Sequence, residues 1–425
     1  MGDRLPQIEM LTTRAKLAAG REQTVDVLIR ITPPEPQASG DAGSGRPALN
    51  LSLVLDRSGS MGGAKIKHAR EAARYCIDQL LPTDRLSVVI FDEDVEVLIP
   101  SQTAENKAAL KEQLAHIHAR GSTALHEAWV RGGIQVSEHL ADAGVNRVLL
   151  ITDGQANVGL TNSDEIVTQS LNLHRRGVST STVGIGTDFN EDLLLPMAES
   201  GGGNAWHVEH ADDMGRIFSV ELEGLIAQVG HTVTLSLVPT DGARLVDLLN
   251  DFELNETGRY KLPNLQAGQP LEVVAQVRVP AREAGARLRL LDLKLGYTPQ
   301  EAKSAEVVRQ FLEVEFAPEE EAEALPQHAS VVKAVQMLMN ARARREAVAY
   351  MDAGDYHKYR DIVNATVASS RLAFATLEAD EDVLAEMSSL GEWADTAHDR
   401  SADQVSRKKL SYRSYDLTRG RRGDT

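Results

Sequence analysis

The sequence predicts an α/β protein with a doubly wound, mostly parallel sheet that is inserted in or followed by an antiparallel β-sandwich. An α-helical region follows towards the C-terminus. Three observations predict this fold class. Short apolar runs alternate with amphipathic segments over residues 48–229, apolar residues alternate singly on both sides of that stretch, and apolar residues recur at helical spacing after residue 318.

Length, charge and cysteine content restrict the function classes. A chain of 425 residues suits two to four domains. The net charge of -17 disfavours bulk nucleic-acid binding, and the single cysteine, Cys76, excludes an internal disulfide framework and a multi-cysteine zinc site. No apolar run reaches the roughly 18 residues that span a bilayer, and the N-terminus lacks a signal-peptide pattern. We therefore expect a cytoplasmic protein without a membrane span.

Residues 1–47 contain an alternating segment, TVDVLIRITP, in which Val25, Val27, Ile29 and Ile31 share one face. This period of two predicts a half-buried strand. The Gly/Ser-rich stretch at 38–47 then predicts a flexible linker. Residues 1–47 are thus assigned to N-terminal strands of a β domain plus a linker.

Residues 48–229 are assigned to an α/β domain. The apolar runs LNLSLVLD, RLSVVIF, NRVLLIT and GVSTSTVGIG are separated by segments with helical periodicity. Continuous apolar strands interleaved with helices indicate a parallel sheet that is covered on both faces. Such sheets bind ligands beyond the carboxyl ends of their strands.

Residues 230–317 return to a period of two and predict an antiparallel sandwich of about five strands. The segment 22–32 resembles a missing strand of this sandwich, placed before the α/β domain in sequence. If it pairs with the later strands, the α/β domain is an insertion in the β domain.

Residues 318–399 are assigned to a helical hairpin or bundle, and residues 400–425 to a basic tail. The tail has eight basic and three acidic residues, a net charge of +5, with two interleaved tyrosines. It is either a solvated or intramolecularly docked segment, or an arm that binds an acidic surface or RNA.

The residues with the clearest chemistry follow strand ends. Asp56, Ser58 and Ser60 alternate directly after the first apolar run of the α/β domain, and Thr123 and Asp153 occupy comparable positions further on. Because the carboxyl ends of parallel strands meet at one edge of the sheet, these five oxygen-bearing side chains are expected to converge. Such a set suits a hard divalent cation, most plausibly Mg²⁺.

The order D-x-S-x-S, then Thr, then Asp resembles the metal-ion-dependent adhesion site of the von Willebrand factor A domain. The resemblance covers residues 48–229 and includes the series of strands and helices. It is similar in architecture to bacterial intracellular proteins that combine this domain with a flanking β-sandwich and C-terminal helices.

The resemblance implies that Ser58, Ser60 and Thr123 bind the metal directly and that Asp56 and Asp153 act through water. Mn²⁺ or Ca²⁺ would be alternatives to Mg²⁺. It further implies a non-enzymatic module whose metal accepts an Asp or Glu carboxylate from a protein partner. The alternative is a purely structural loop.

A second interpretation also comes from the resemblance. Intracellular von Willebrand A proteins accompany AAA+ ATPases of the MoxR kind as adaptor subunits, or belong to bacterial stress and defence systems. An enzymatic role ranks last. The stretch GQANVGLT at 154–161 almost matches a phosphate-binding loop, but Leu160 replaces the required Lys, so nucleotide binding is not expected.

Overall fold

The computed structural model describes residues 5–35, 46–141, 144–300, 302, 304–378, 380–398 and 404–420. Most of the linker predicted at 38–47 lies outside these residues. The chain forms two compact units. One comprises the described residues of Met1–Glu35, Val229–Pro299 and Ser304–Thr425, and is called the β-helical unit. The other comprises those of Pro36–Gln228 and Gln300–Lys303, and is called the α/β unit.

The strands are numbered along the chain: β1 (Gln7–Thr12), β2 (Lys16–Ala18), β3 (Gln23–Thr32), β4 (Leu49–Asp56), β5 (Arg85–Phe91), β6 (Val95–Thr103), β7 (Val145–Thr152), β8 (Ser179–Ile185), β9 (Gly202–Val208), β10 (Gln228–Pro239), β11 (Arg244–Leu248), β12 (Tyr260–Lys261), β13 (Leu265–Gln266), β14 (Leu271–Val279), β15 (Arg287–Pro299) and β16 (Glu306–Ala317). The helices are α1 (Ala64–Gln79), α2 (Lys107–Leu114), α3 (Leu125–Ser137), α4 (Ser163–Arg175), α5 (Glu191–Ser200), α6 (Met214–Ile226), α7 (Glu319–Ala324), α8 (Ala329–Asp352), α9 (Tyr356–Phe374), α10 (Glu381–His398) and α11 (Gln404–Thr418).

The α/β unit has one sheet with strand order β6-β5-β4-β7-β8-β9, parallel except for β6, which runs antiparallel to β5. This confirms the predicted fold class. Every residue of β4 is buried, as expected for a central strand covered on both faces. The edge strand β6 is an addition to the predicted series, because its residues are mostly exposed or half-buried and it contains Pro100.

The strand order places the predicted site at one edge. β4 lies between β5 and β7, so the loops after these three strands leave the sheet side by side. Asp56 ends β4, and Asp153 follows directly after β7. The chain places β5 on one side of β4 and β7 on the other, so the strand order reverses at β4. At such a switch point, the carboxyl ends of the strands form a crevice.

The β-helical unit has two sheets, in the orders β1-β3-β14-β11 and β12-β10-β15-β16-β2. Side chains of both sheets share one core, which includes Val27, Ile29, Val273, Leu293 and Leu295. β3 pairs antiparallel with β14 along its whole length, so the segment before the α/β unit does complete this sandwich. The sandwich has more than the five predicted strands. The additional ones, β1, β2, β11, β12 and β13, are two to six residues long, too short to give a clear period of two.

The C-terminal helices extend the β-helical unit. Leu338 and its neighbours on α8 cover Leu28 and Val274 on the outer face of the first sheet. Tyr359 of α9 and Trp393 of α10 then build a second small core with Leu410 of α11. No helix in the described part of the chain is both long and apolar enough to cross a membrane.

The segment predicted as a basic tail forms helix α11 over Gln404–Thr418. Tyr412 and Tyr415 are buried, and the basic side chains pair within the unit: Arg407 with Asp352 on α8 at 2.8 Å, and Arg413 with Glu386 on α10 at 3.1 Å. Over these residues the docked alternative is correct, and the idea of a free arm is wrong. The acidic surface belongs to the chain itself. Residues 400–403 and 421–425 lie outside the described residues.

A buried charge cluster joins the helices α8, α10 and α11. Glu386 has no exposed surface, and it accepts hydrogen bonds from Arg344 at 2.7 Å, Asn340 at 3.0 Å and Arg413 at 3.1 Å. Arg344 is 1% exposed. When a buried carboxylate is paired with two guanidinium groups, removing one partner destabilises the protein, because the remaining charges stay buried without compensation.

Glu386→Gln removes the charge that Arg344 and Arg413 share. We expect the helices to lose about 3 kcal/mol of local stability. The measurement is hydrogen exchange of peptides from α10 and α11, because a chain of two units need not unfold in one transition. Glu392→Gln, at an exposed position on the same helix, is the matched control. Equal exchange in both variants would show that the cluster does not stabilise this region.

Candidate metal centre

Asp56 is held in place through both carboxylate oxygens. Oδ1 accepts the backbone N–H of Ser58 at 2.7 Å, which fixes the turn that leaves β4. Oδ2 accepts the hydroxyl of Thr152 at 2.5 Å, from the end of the neighbouring strand β7. The side chain has no exposed surface. Its position is therefore set by two adjacent strands of the sheet.

The hydroxyls of Ser58 and Ser60 connect this turn to Asp153. The two Oγ atoms lie 3.1 Å apart, and Ser60 Oγ donates to Asp153 Oδ1 at 2.7 Å, across 93 residues of sequence. Asp153 is fully buried and Ser58 nearly so, whereas Ser60 is exposed. The cluster thus opens to solvent on the side of Ser60.

Thr123 reaches the same edge from the loop before α3. Its backbone N–H donates to Asn157 Oδ1 at 2.9 Å, and its carbonyl accepts the N–H groups of Asn157 and Val158 at 3.3 Å each. A Cβ added at Gly154 would lie 3.3 Å from Thr123 Oγ1 and 3.8 Å from Asp56 Oδ2. The glycine after Asp153 therefore leaves space between two of the predicted ligands.

The donor set fits a hard divalent cation. It consists of oxygen atoms alone, from two carboxylates and three hydroxyls, and a side chain at position 154 would crowd Thr123 Oγ1. Burial raises the pKa of Asp56 to about 6, against hydrogen bonds from Thr152 and Ser58 that lower it. The described part of the chain contains no group of three or more His, Cys, Asp or Glu side chains that could hold a metal ion, and this cluster has two carboxylates beside its hydroxyls.

Lys65 places a positive charge at the cluster. It lies in the first turn of α1, and its Nζ is 2.5 Å from Asp153 Oδ2. Its side chain is 28% exposed, so the ammonium group can move out to water. The ammonium thus pairs with one of the predicted ligands, and a metal ion at the same carboxylate would have to compete with it.

A third buried carboxylate, Asp92, follows directly after β5 and joins the loops that carry the predicted ligands. Its Oδ2 accepts Arg57 Nε at 2.8 Å and Arg120 Nε at 2.6 Å. Its carbonyl accepts the N–H of Ala124 at 2.7 Å. Burial acts to raise the pKa of Asp92, but the hydrogen bond from Arg120 and the charge of Arg57 outweigh it, and the pKa is lowered.

Backbone contacts complete this connection. Arg120 N donates to Arg57 O at 2.7 Å, and Gly59 N donates to Gly121 O at 3.0 Å. Arg57 lies between Asp56 and Ser58, and Arg120 lies three residues before Thr123. Asp92 therefore positions both loops without itself being a predicted ligand.

The structure brings all five predicted residues to one edge of the sheet: Asp56, Ser58 and Ser60 after β4, Thr123 before α3, and Asp153 after β7. Sequence reasoning missed Lys65, Asp92 and Thr152. The sequence contains only weak signals for them. Each lies close to a strand end or to a loop of the motif, but nothing in the sequence indicates which residue it contacts.

The family can now be stated from comparison. Residues 50–220 match the family model of the von Willebrand factor type A domain. The α/β unit is a domain of this family, whose members are protein-interaction and adhesion modules.

Curated relatives share the domain and differ in the rest of the chain. A protein of Synechocystis sp. described as uncharacterized is 32% identical over 48% of this chain and 48% of its own length. The uncharacterized protein YfbK of Escherichia coli is 26% identical over 44% and 33%. Human inter-alpha-trypsin inhibitor heavy chain H4 is 30% identical over 39% and 18%. The chain thus spans about half or less of the length of these relatives.

Two solved structures share the fold of nearly the whole chain. A von Willebrand factor type A protein from Catenulispora acidiphila superposes with a TM-score of 0.69 at 17% identity, over 97% of each chain. The ArnB paralog VWA2 from Sulfolobus acidocaldarius gives 0.59 at 15% identity, over 97% and 98%. The combination of this domain with additional sheets and C-terminal helices is therefore an established fold.

Lys65→Met removes the ammonium group from Asp153. We expect Mg²⁺ to bind about tenfold more tightly, because a positive charge next to the carboxylate no longer opposes the cation. Isothermal titration calorimetry measures this. Lys67→Met, at an exposed position on the same helix, controls for net charge. Weaker binding in the Lys65 variant would instead mean that the ammonium holds Asp153 in its binding position.

Asp92→Asn keeps the shape of the side chain and removes its charge. We expect Mg²⁺ affinity to fall about 10- to 100-fold, the usual effect of altering a group that orients metal ligands. Hydrogen exchange should increase in the loops at 57–60 and 120–123. Glu105→Gln, at an exposed position outside this network, is the control. Unchanged affinity would contradict the positioning role of Asp92.

Proposed function

We propose that the α/β unit is a non-enzymatic module that captures an Asp or Glu carboxylate of a protein partner through a divalent cation. Ser58, Ser60 and Thr123 would hold the ion directly, with Asp56 and Asp153 behind them. Mg²⁺ suits the oxygen donors best, and Mn²⁺ or Ca²⁺ are alternatives. When bound, the cation supplies an open coordination position that attracts a carboxylate.

The observation that supports this proposal most strongly is the convergence of the five oxygen-bearing side chains around an opening at Ser60. The hydroxyls are neutral, and both carboxylates are already engaged in hydrogen bonds within the protein. Positive charge at the opening would therefore be incompletely compensated, which favours an anionic ligand from outside.

The same contacts support binding over catalysis. Asp56 accepts from Ser58 and Thr152, and Asp153 accepts from Ser60 and Lys65. All four carboxylate oxygens thus accept a hydrogen bond within the protein, which supports a binding role over that of a general base. We propose that the chain has no enzymatic activity of its own at this site.

The partner and the location are also part of the proposal. An AAA+ ATPase as the partner stays a prediction from the family resemblance, as does a role in stress or defence. A cytoplasmic location stays a prediction too, and cell fractionation tests it.

The test is an affinity pull-down from native lysate with wild type and Asp56→Ala, each with Mg²⁺ or with EDTA. Partners that are lost in the variant and in EDTA are expected, because both treatments remove the cation. An ATPase among them would support the adaptor role. Glu105→Ala, a change at an exposed carboxylate outside the site, is the control.

Circular dichroism establishes that Asp56→Ala remains folded. If the same partners are recovered from all samples, metal-dependent capture is wrong and the cluster is a structural feature of the loop.

A further inference from the structure

An apolar groove lies directly beside the candidate metal centre. It has a volume of about 300 Å³ and is formed by the first turns of α3 and the loop after β7. Ala124, Val130, Val158 and Leu160 give its apolar walls. This volume is at the small end of ligand sites, so it suits one side chain rather than a whole small molecule.

The groove and the candidate metal centre share their backbone. Ala124 follows Thr123 in sequence, and the N–H of Val158 donates to the Thr123 carbonyl at 3.3 Å. A chain that places a carboxylate at the Thr123 side of the opening must therefore pass next to the groove. A neighbouring side chain of the same partner is within reach of its walls.

Charged and polar groups at the rim of the groove restrict which partner side chains can enter it. Glu127 is exposed in the first turn of α3 and lines the groove. His126 also lines it and is held by Gln169 at 2.9 Å. A second acidic residue of the partner would meet the like charge of Glu127, so an acidic run is disfavoured and an apolar neighbour is favoured.

We propose that the partner segment carries a single Asp or Glu next to a large apolar side chain, which enters the groove formed by Ala124, Val130, Val158 and Leu160. This inference rests on the proposed function, because the metal-bound carboxylate aligns the segment. The groove adds selectivity. The cation binds the acidic side chain, and the groove favours those acidic segments that carry a neighbouring apolar side chain.

The probe is a displayed peptide library with a fixed central Asp and randomised flanking positions, selected on the full chain in Mg²⁺ and in EDTA. We expect Mg²⁺-dependent peptides enriched in a large apolar residue at one position relative to Asp. In the best peptide, replacing that residue by Ser should weaken binding about tenfold, measured by fluorescence polarisation.

A double-mutant cycle links this effect to the groove. In Leu160→Gln, the same replacement in the peptide should change affinity by less than about twofold, since the apolar contact is already lost. Ile134→Gln, at an exposed apolar position on α3 away from the groove, should retain the full effect. Mg²⁺ titration must give the wild-type affinity in both variants.

The outcomes separate the two proposals. Mg²⁺-dependent peptides without an apolar preference, or an equal effect in Leu160→Gln and wild type, would overturn the groove proposal and leave carboxylate capture in place. Peptides that bind equally in EDTA would overturn the role of the cation and with it the joint site. Failure to recover any peptide over background would contradict both.

Discussion

Two carboxylates without exposed surface, at the carboxyl edge of a parallel sheet, are the constraint on which the site depends. An ionised carboxylate in the interior is stable only when hydrogen bonds or positive charge compensate it. Asp56 is compensated by the Ser58 backbone and Thr152, and Asp153 by Ser60 and Lys65. These contacts fix the loops after β4 and β7 against each other. As a result, Ser60 Oγ contacts Asp153 and Ser58 Oγ lies beside it, which groups oxygen atoms as a cation would need.

The surrounding loops support this arrangement through the side chain of Asp92 and through the backbone of Thr123. Asp92 joins Arg57 to Arg120 and so connects the D-x-S-x-S turn with the loop that carries Thr123. The carbonyl of Thr123 in turn holds Asn157 and Val158, which begin the wall of the apolar groove. The oxygen cluster, the positioning carboxylate and the groove are therefore one continuous edge of the α/β unit. Substitutions in the oxygen cluster or at the positioning carboxylate are expected to change metal affinity. Substitutions in the groove are expected to change peptide selectivity.

Much of this could be predicted from sequence, because it depends on local pattern. The buried run LNLSLVLD fixes Asp56 at a strand end, and parallel topology then brings Asp153 and Thr123 to the same edge. Lys65 and Asp92 could not be assigned, since their partners are 88 and 35 residues away and depend on side-chain placement. For the basic tail, the sequence left solvation, docking within the chain and partner binding open, and it did not indicate helix α11. Its acidic partners, Asp352 and Glu386, lie on separate helices, and only the tertiary fold brings them together.

The most direct test of the account is the position of a bound cation. A crystal of the full chain soaked in Mn²⁺ gives an anomalous difference signal that locates the ion without reference to activity. The account predicts a peak among Ser58, Ser60 and Thr123, within coordination distance of their hydroxyl oxygens, and no such peak in crystals of Thr123→Ala. A well-ordered loop with no peak at saturating Mn²⁺, or a peak held by other residues, would contradict the central claim that these side chains form a metal centre.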